Sequence, residues 1–352
     1  MSGASYVTLW FKVSVVRYRA TCVLYKTTAT NVRMSKRKRE ADEPYEQMKQ
    51  RHETECFKLS NHVGQFAIIY ADSQLVLPKS LVIKCYSDVY GCTDQPDFIQ
   101  RWVRDPCKKV LKTLVMDPSC TCGESVYNLW KPFRASQLAP VDDSQELTHP
   151  IVDYIVNHIA SGDKGSAEWI LNYLARMVQF PGSKSEMAIW LHGDERCCKR
   201  LLFDFMCEQV LGPYHSRQIN NQSFSETYAV RRVCIQVHGV KQLHKSINRL
   251  IMMKTLYVGS PNIRVDNLVN LVIMSNKPPA EQNIHISEFH CSAPSDLEGL
   301  RAHLSRSEVA RAFYQFLLAR PLPALAEFHK FMRHSRPRQA INVSLIRHVT
   351  VQ

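Results

Sequence analysis

The stretch MAIWLHGDERCCKR, residues 187–200, decides the fold. Its five initial apolar residues predict a buried strand, because strands covered on both faces have continuous apolar runs. Gly193 then begins a charged turn, and the segment from Lys199 to Leu211 has the apolar spacing of a helix. A strand, a glycine turn and a helix in this order are typical of a loop that binds phosphate through backbone N–H groups.

This loop keeps only part of the phosphate-binding pattern G-x-x-x-x-G-K-[ST]. Gly193 is the first glycine, and Lys199 is the lysine that neutralises the β- and γ-phosphates. Cys198 replaces the second glycine, and Arg200 replaces the hydroxyl residue that holds Mg²⁺. Asp194 and Glu195, in the turn, would also repel phosphate. The residues therefore predict a damaged site, and the alternative for Lys199 is a solvent-facing lysine at a helix N-terminus.

Length and charge limit the class of protein. The chain has 352 residues, 45% of them hydrophobic, which is enough for one large domain with an accessory domain. Its net charge of +13 favours nucleic acid or an anionic membrane surface as a partner, although a basic protein without such a partner has the same composition. No run of 18 apolar residues occurs, so we expect no membrane span.

The spacing of the twelve cysteines is not typical of a disulfide framework or a zinc site. Cys197 and Cys198 are adjacent, Cys120 and Cys122 are one residue apart, and no pair has CxxC spacing. We find no secretory signal, so we expect reduced thiols and no metal site. The expected location is intracellular, in the nucleus or a viral replication compartment, and the protein is not expected to be secreted.

Apolar runs at 233–237, 255–258 and 268–274 predict further strands separated by helical or polar stretches. This order predicts an α/β domain with a central, mostly parallel sheet. The basic tail is either a flexible extension or translated sequence upstream of a start at Met34. The predicted organisation is a basic tail over 1–39, a small accessory region over 40–138, a linker over 139–150, the phosphate-loop core over 151–297, and a helical, basic C-terminal region over 298–352.

An ordered set of motifs resembles the superfamily 3 helicase domain of viral and phage primase–helicases. The motifs are YNLW at 127–130, LNYLARMVQ at 171–179 with Pro181, Gly182 and Lys184 after it, AIWLHG at 188–193, and MSN at 274–276. The resemblance covers about residues 98–323 and implies an AAA+-like P-loop domain. It also implies ATP and Mg²⁺ as cofactors, DNA as a partner, and assembly into a homo- or hetero-oligomeric ring.

The chain departs from this family at the residues that carry hydrolysis. The family's acidic pair falls near Val237 and His238, where no Asp or Glu is present, and its paired arginines fall within 286–291, which contains none. An oxyanion-stabilising group is worth about 10²–10³ in rate, and an arginine finger about 10³–10⁵. Both ATP and Mg²⁺ are therefore in doubt as working cofactors, and we identify no catalytic residue.

We predict a helicase-like protein of viral-type DNA replication with impaired or absent ATP hydrolysis, which acts by binding nucleic acid or as a subunit of a replication complex. The alternatives are an active ATP-dependent helicase and an interaction protein that keeps only the fold. Asn276 is either a sensor residue or a turn residue before two prolines. The candidate nucleotide-binding residues are Gly193, Lys199 and Asn276, and the candidate nucleic-acid-binding residues are Lys36, Arg37, Lys38, Arg39, Arg333, Arg336 and Arg338.

Overall fold

The computed structural model describes residues 45–69, 74–91, 96–142, 144–193, 199–220, 229–239, 245–258, 263–279 and 286–324. These residues belong to two units, which divide between Leu111 and Lys112, except that Gln74 and Leu75 are grouped with the second unit. The division lies before the acidic segment 139–150 that we interpret as a linker. The helix Ser144–Tyr154 begins within that segment and contains Pro150. Burial of Ile151 and Tyr154 on this helix offsets the N–H that proline lacks.

Whereas the predicted accessory region extends over 40–138, the first unit ends at Leu111. Its elements are α1 (Tyr45–His52), β1 (Cys56–Leu59), β2 (Gln65–Ile69), β3 (Gln74–Pro78), α2 (Lys79–Tyr90), α3 (Phe98–Arg104) and β4 (Val110–Leu111). The sheet order is β3-β2-β1-β4, with β1 antiparallel to β2 and parallel to β4. In its core, His52 lies against the rings of Trp102 and Tyr86 at centroid distances of 4.4 and 4.7 Å.

The second unit is built on a five-stranded sheet, and all of its described pairings are parallel. In sheet order the strands are Ile286–His290, Ala188–His192, Asn270–Met274, Cys234–His238 and Ser216–Asn220. This arrangement confirms the predicted α/β class and the parallel central sheet. The elements of the unit are β5 (Leu114–Val115), β6 (Tyr127–Asn128), α4 (Ser144–Tyr154), α5 (Lys164–Gln179), β7 (Ala188–His192), α6 (Leu201–Phe205), β8 (Ser216–Asn220), β9 (Cys234–His238), α7 (Lys245–Met252), β10 (Thr255–Val258), β11 (Ile263–Asp266), β12 (Asn270–Met274), β13 (Ile286–His290), α8 (Leu297–Leu304) and α9 (Ser307–Ala319).

Helix α5 packs its apolar face onto this sheet. Asp163 caps its N-terminus by accepting a hydrogen bond from the backbone N–H of Ser166 at 2.9 Å. Trp169 and Tyr173 are buried, as their helical spacing predicts. The hydroxyl of Tyr173 lies within hydrogen-bond distance of carbonyl oxygens next to β7 and in β12, Met187 O at 3.3 Å and Leu271 O at 3.4 Å. The helix is thereby held against the two central strands.

Three strand assignments differ from the sequence-based prediction. The segment Thr255–Val258 is a strand, but it pairs antiparallel with Ile263–Asp266 outside the central sheet. The edge strand Ser216–Asn220 has one apolar residue, Ile219, and Ile286–His290 has polar residues between Ile286 and Phe289, so no continuous apolar run marks either strand. The predicted helix over 199–211 is shorter at its start and ends in a π-helical turn, Met206–Leu211.

Among the helices of the described ranges, none combines the length and the apolar character that a bilayer crossing demands.

Candidate functional site

A cavity of about 510 Å³ lies at the carboxyl ends of the central strands. Ligands of open α/β sheets bind at this edge, because the loops and helix N-termini that follow the strands converge there. The polar residues that line the cavity come from α6 and the two residues before it, from β9, from the turn after β12, and from α8. They are Lys199, Arg200, Asp204, His238, Asn276 and Arg301.

The three predicted nucleotide-binding residues meet at this edge. Gly193 follows β7 with a φ of +147°, a conformation that favours glycine. The ammonium Nζ of Lys199 donates hydrogen bonds to the backbone oxygen of Gly193 at 2.9 Å and to Oδ1 of Asn276 at 3.0 Å. Lys199 is 8% exposed and therefore is not the solvent-facing lysine of the alternative interpretation. Residues 194–198 of the loop lie outside the described residues.

Arg200, which stands where the loop pattern has a hydroxyl residue, lies along helix α6. Its guanidinium donates to Oε1 of Gln218 at 3.2 Å, and its Nε lies 3.6 Å from Oδ2 of Asp204. Gln218 in turn donates from Nε2 to Oδ1 of Asp204 at 2.9 Å. Burial raises the pKa of the Asp204 carboxyl, and the charge of Arg200 opposes that rise. Both oxygens of the acidic side chain at the cavity are therefore engaged by neighbouring residues.

His238 ends β9, at the position where the resemblance would have an acidic residue. Burial, and then the positive charge of Arg200, lower the pKa of His238 to about 4. The imidazole is therefore neutral at pH 7. Its Nε2 is buried and has no hydrogen-bond partner among the described residues. The ring of His238 therefore lines the cavity as a neutral imidazole, with Nε2 buried.

A second group of side chains lies at the ends of β7 and β13. Nε2 of His192 is 2.9 Å from Oε1 of Glu288, and Nδ1 of His290 is 3.4 Å from Nδ1 of His192. Burial lowers the pKa of His192 to about 4 and raises the pKa of Glu288. The His192–Glu288 contact is therefore a hydrogen bond from a neutral ring at pH 7. The paired arginines of the resembling family are absent from this strand.

Asp204 lines the cavity without having been a predicted site residue, and so does Arg301. Arg301 lies in the last turn of α8, whose N-terminus is capped by the Asp296 carboxylate through the backbone N–H of Gly299 at 2.8 Å. Helix α8 falls within the predicted basic C-terminal region and not within the predicted site. An ordinary amphipathic helix distant from the loop carries no local signal that one of its arginines reaches the cavity.

The remaining predicted site residues lie outside the described part of the chain. They are Lys36, Arg37, Lys38, Arg39, Arg333, Arg336 and Arg338. In the described ranges, no three His, Cys, Asp or Glu side chains come together as a metal site would need.

The fold and the cavity define an α/β protein whose candidate binding site is the carboxyl edge of a parallel sheet. No protein-family model matches the chain, and no curated protein matches it. Solved structures of the C-terminal region of NrS-1 are similar in fold. Two apo structures in the A form have TM-scores of 0.55 and 0.58 at 17% and 15% identity, covering 78% and 83% of this chain and 67% and 72% of theirs. A further apo structure has a TM-score of 0.56 at 16% identity over 81% of this chain and 70% of that one. Similarity at these identities shows the fold alone.

Proposed function

We propose that this chain is a superfamily 3 helicase-like protein of viral-type DNA replication that binds nucleotide phosphate but hydrolyses little or no ATP. It acts by binding DNA or as a subunit of a replication complex, in a homo- or hetero-oligomer of the kind that the resembling family forms. One observation carries the proposal. Lys199 is buried at the carboxyl edge of the parallel sheet, hydrogen-bonded to Gly193 and Asn276.

The geometry supports phosphate binding through Lys199. An incoming phosphate oxygen provides a stronger, charge-assisted hydrogen bond to the Lys199 ammonium than the neutral oxygens of Gly193 and Asn276 do. The cavity beside it has a volume of about 510 Å³, within the range of small-molecule sites. Gly193, Lys199 with the helix after it, and Asn276 follow one another along the chain in the order that the sequence resemblance implies.

Three independent losses support weak or absent hydrolysis. Arg200 replaces the magnesium-binding hydroxyl, His238 replaces an acid, and strand Ile286–His290 has no arginine. If each substitution costs about 10²–10³ in rate, the combined loss removes most of the catalysis that such a site provides. DNA as the partner is supported by the net charge of +13 and by the sequence resemblance.

The test measures ATP binding and ATP turnover of the full chain and of Lys199→Ala, with Lys164→Ala as the control at an exposed lysine of α5. We expect the unmodified chain to bind ATP without turnover above background, since the three substitutions remove the hydrolytic groups. Lys199→Ala should weaken binding about 10–100-fold, because a hydrogen bond to a charged group contributes about 1.5–3 kcal/mol.

Two outcomes would contradict this proposal. ATP turnover that Lys199→Ala abolishes would identify an active helicase. If the chain bound neither ATP nor DNA at low salt, an interaction protein that retains only the fold would remain.

A further inference from the structure

Magnesium is the metal that the helicase resemblance implies, and the described residues of the cavity do not suit it. Mg²⁺ binds oxygen ligands in near-octahedral geometry and is usually held by one or two carboxylates in addition to phosphate oxygens. Asp204 is the carboxylate that lines the cavity, and Gln218 and Arg200 already engage its two oxygens. Oδ1 of Asn276 accepts a hydrogen bond from Lys199.

The charges around the cavity favour an anion instead of a divalent cation. Among the described residues that line the cavity, Lys199, Arg200 and Arg301 supply three positive charges and Asp204 supplies one carboxylate. His238 adds no negative charge where the family would have an acid. In an ordinary nucleotide site, a hydroxyl residue binds the metal, and the metal neutralises the phosphates. Here a guanidinium occupies that residue's position, and a second guanidinium approaches from α8.

We infer that the cavity binds a polyphosphate as the free anion without Mg²⁺, with Arg200 and Arg301 neutralising the charge that the metal would otherwise neutralise. This inference rests on the proposed phosphate binding and specifies the ligand's form. Arginine suits the role because its planar guanidinium forms paired hydrogen bonds with phosphate oxygens and does not lose its charge. Arg301 is exposed, so it can adjust to the phosphate chain.

The experiment titrates the full chain with ATP by calorimetry, once with EDTA and once with excess MgCl₂. Inorganic tripolyphosphate, titrated under the same two conditions, shows whether the phosphate chain alone is the ligand. We expect ATP to bind in EDTA at least as tightly as in MgCl₂. Arg200→Gln and Arg301→Gln should each weaken binding in EDTA by about 10-fold or more, since each removes a charge-assisted contact.

Matched variants separate this role from general electrostatics. Arg306→Gln removes an exposed arginine that pairs with Glu308 near the end of α8, and it should leave ATP binding nearly unchanged. Arg200→Ser introduces the hydroxyl of the common loop pattern and should make binding depend on MgCl₂.

The outcomes distinguish this inference from the proposed function. ATP binding that occurs only with MgCl₂ would overturn the inference and leave the proposed nucleotide binding intact. Binding in EDTA that neither Arg200→Gln nor Arg301→Gln weakens would also overturn it. If neither ATP nor tripolyphosphate bound under either condition, the proposed function itself would fail.

Discussion

At the scale of single residues, Lys184 shows how a motif position can be structural. It belongs to the segment after α5 that carries the sequence resemblance. Its Nζ donates to the carbonyl oxygens of Leu250 and Met253, both at 2.9 Å, where helix Lys245–Met252 ends. Burial lowers the pKa of Lys184 to about 8, so the ammonium remains mostly charged at pH 7. A cation on the last carbonyls of a helix satisfies them and complements the helix dipole.

Lys184→Met should therefore lower the free energy of unfolding by about 1–3 kcal/mol, because buried carbonyl oxygens lose a charged donor. Urea unfolding followed by circular dichroism measures this change. Lys164→Met, at an exposed lysine, should change it by less than about 0.5 kcal/mol. A folded Lys184→Met protein that lost ATP binding would contradict the structural role, since Lys184 does not line the cavity.

His215 makes stability depend on pH. It is fully buried, its Nε2 lies 2.7 Å from the carbonyl oxygen of Lys131, and burial lowers its pKa to about 4. The unfolded chain has an ordinary histidine pKa of about 6.5 and binds the proton first as pH falls. The stabilisation is therefore complete above about pH 6.5 and is lost progressively as pH falls toward about 4.

His215→Gln should reduce the loss of stability between pH 7 and pH 4 by about 3 kcal/mol, because glutamine does not titrate. Urea unfolding at several pH values provides the measurement. His149→Gln, at a histidine whose side chain is 74% exposed, is the control and should have a much smaller effect on the pH dependence. Equal pH dependence in His215→Gln and the unmodified chain would show that His215 does not titrate in this range.

At the scale of elements, the run LNYLARMVQ links two helices. Asn172, Arg176 and Gln179 recur at helical spacing on α5 and reach the end of α9 (Ser307–Ala319). Gln179 donates from Nε2 to the carbonyl oxygens of Leu317 and Arg320, both at 2.7 Å. Arg176 donates to the Pro323 oxygen at 2.9 Å, and Nε of Arg320 donates to Asn172 at 2.7 Å. The polar residues of this run thus provide hydrogen-bond donors and acceptors at the C-terminal end of α9.

Gln179→Ala should lower the free energy of unfolding by about 1–3 kcal/mol, since two helix-end carbonyls lose their donor. Chemical denaturation measures the change. Glu168→Gln removes the exposed ion pair with Arg320 on the same helix and should cost less than about 1 kcal/mol. Similar costs for the two variants would contradict the assigned difference between helix capping and a surface ion pair.

The sequence predicts elements best where burial imposes a pattern. Strands β7, β9 and β12 are buried on both faces, and their apolar runs identify them. Thr255–Val258 has a similar composition but pairs locally with Ile263–Asp266, whose burial alternates. Composition cannot distinguish these two placements, because both bury apolar side chains. The pairing depends on which strand lies adjacent, and that is a tertiary property.

The residues of the candidate site also differ in whether a local sequence pattern could predict their position. Gly193 and Lys199 belong to one local pattern, so their meeting could be predicted from spacing. Asn276 could be placed beside them only through the motif order of the resemblance, and the structure puts its Oδ1 3.0 Å from Lys199. Arg301 reaches the cavity from another helix and could not be predicted. Contacts between segments that are distant in sequence can be predicted only when the fold is known.

At the scale of the whole molecule, charge governs the proposed DNA binding. The net charge of +13 includes two basic segments outside the described residues, 36–39 and 333–338. Each lysine or arginine that contacts a DNA phosphate releases counterions, so the logarithm of the binding constant falls linearly with the logarithm of the salt concentration. The slope is about −0.9 for each phosphate neutralised. The slope therefore counts the basic residues in contact with DNA.

The combined variant Arg333→Ala, Arg336→Ala and Arg338→Ala should bind DNA more weakly than the unmodified chain. The magnitude of its slope should be smaller by about 0.9 for each of these arginines that contacts a phosphate. Fluorescence anisotropy of a labelled duplex over a range of salt concentrations provides both quantities. Because phosphate contacts are independent of sequence, the loss should be the same for unrelated duplexes. The matched variant Lys36→Ala, Arg37→Ala and Lys38→Ala removes the same charge from the other segment. Equal losses of DNA affinity in the two variants would indicate that only net charge matters. A larger loss of affinity for the first variant would place the DNA at the C-terminal region.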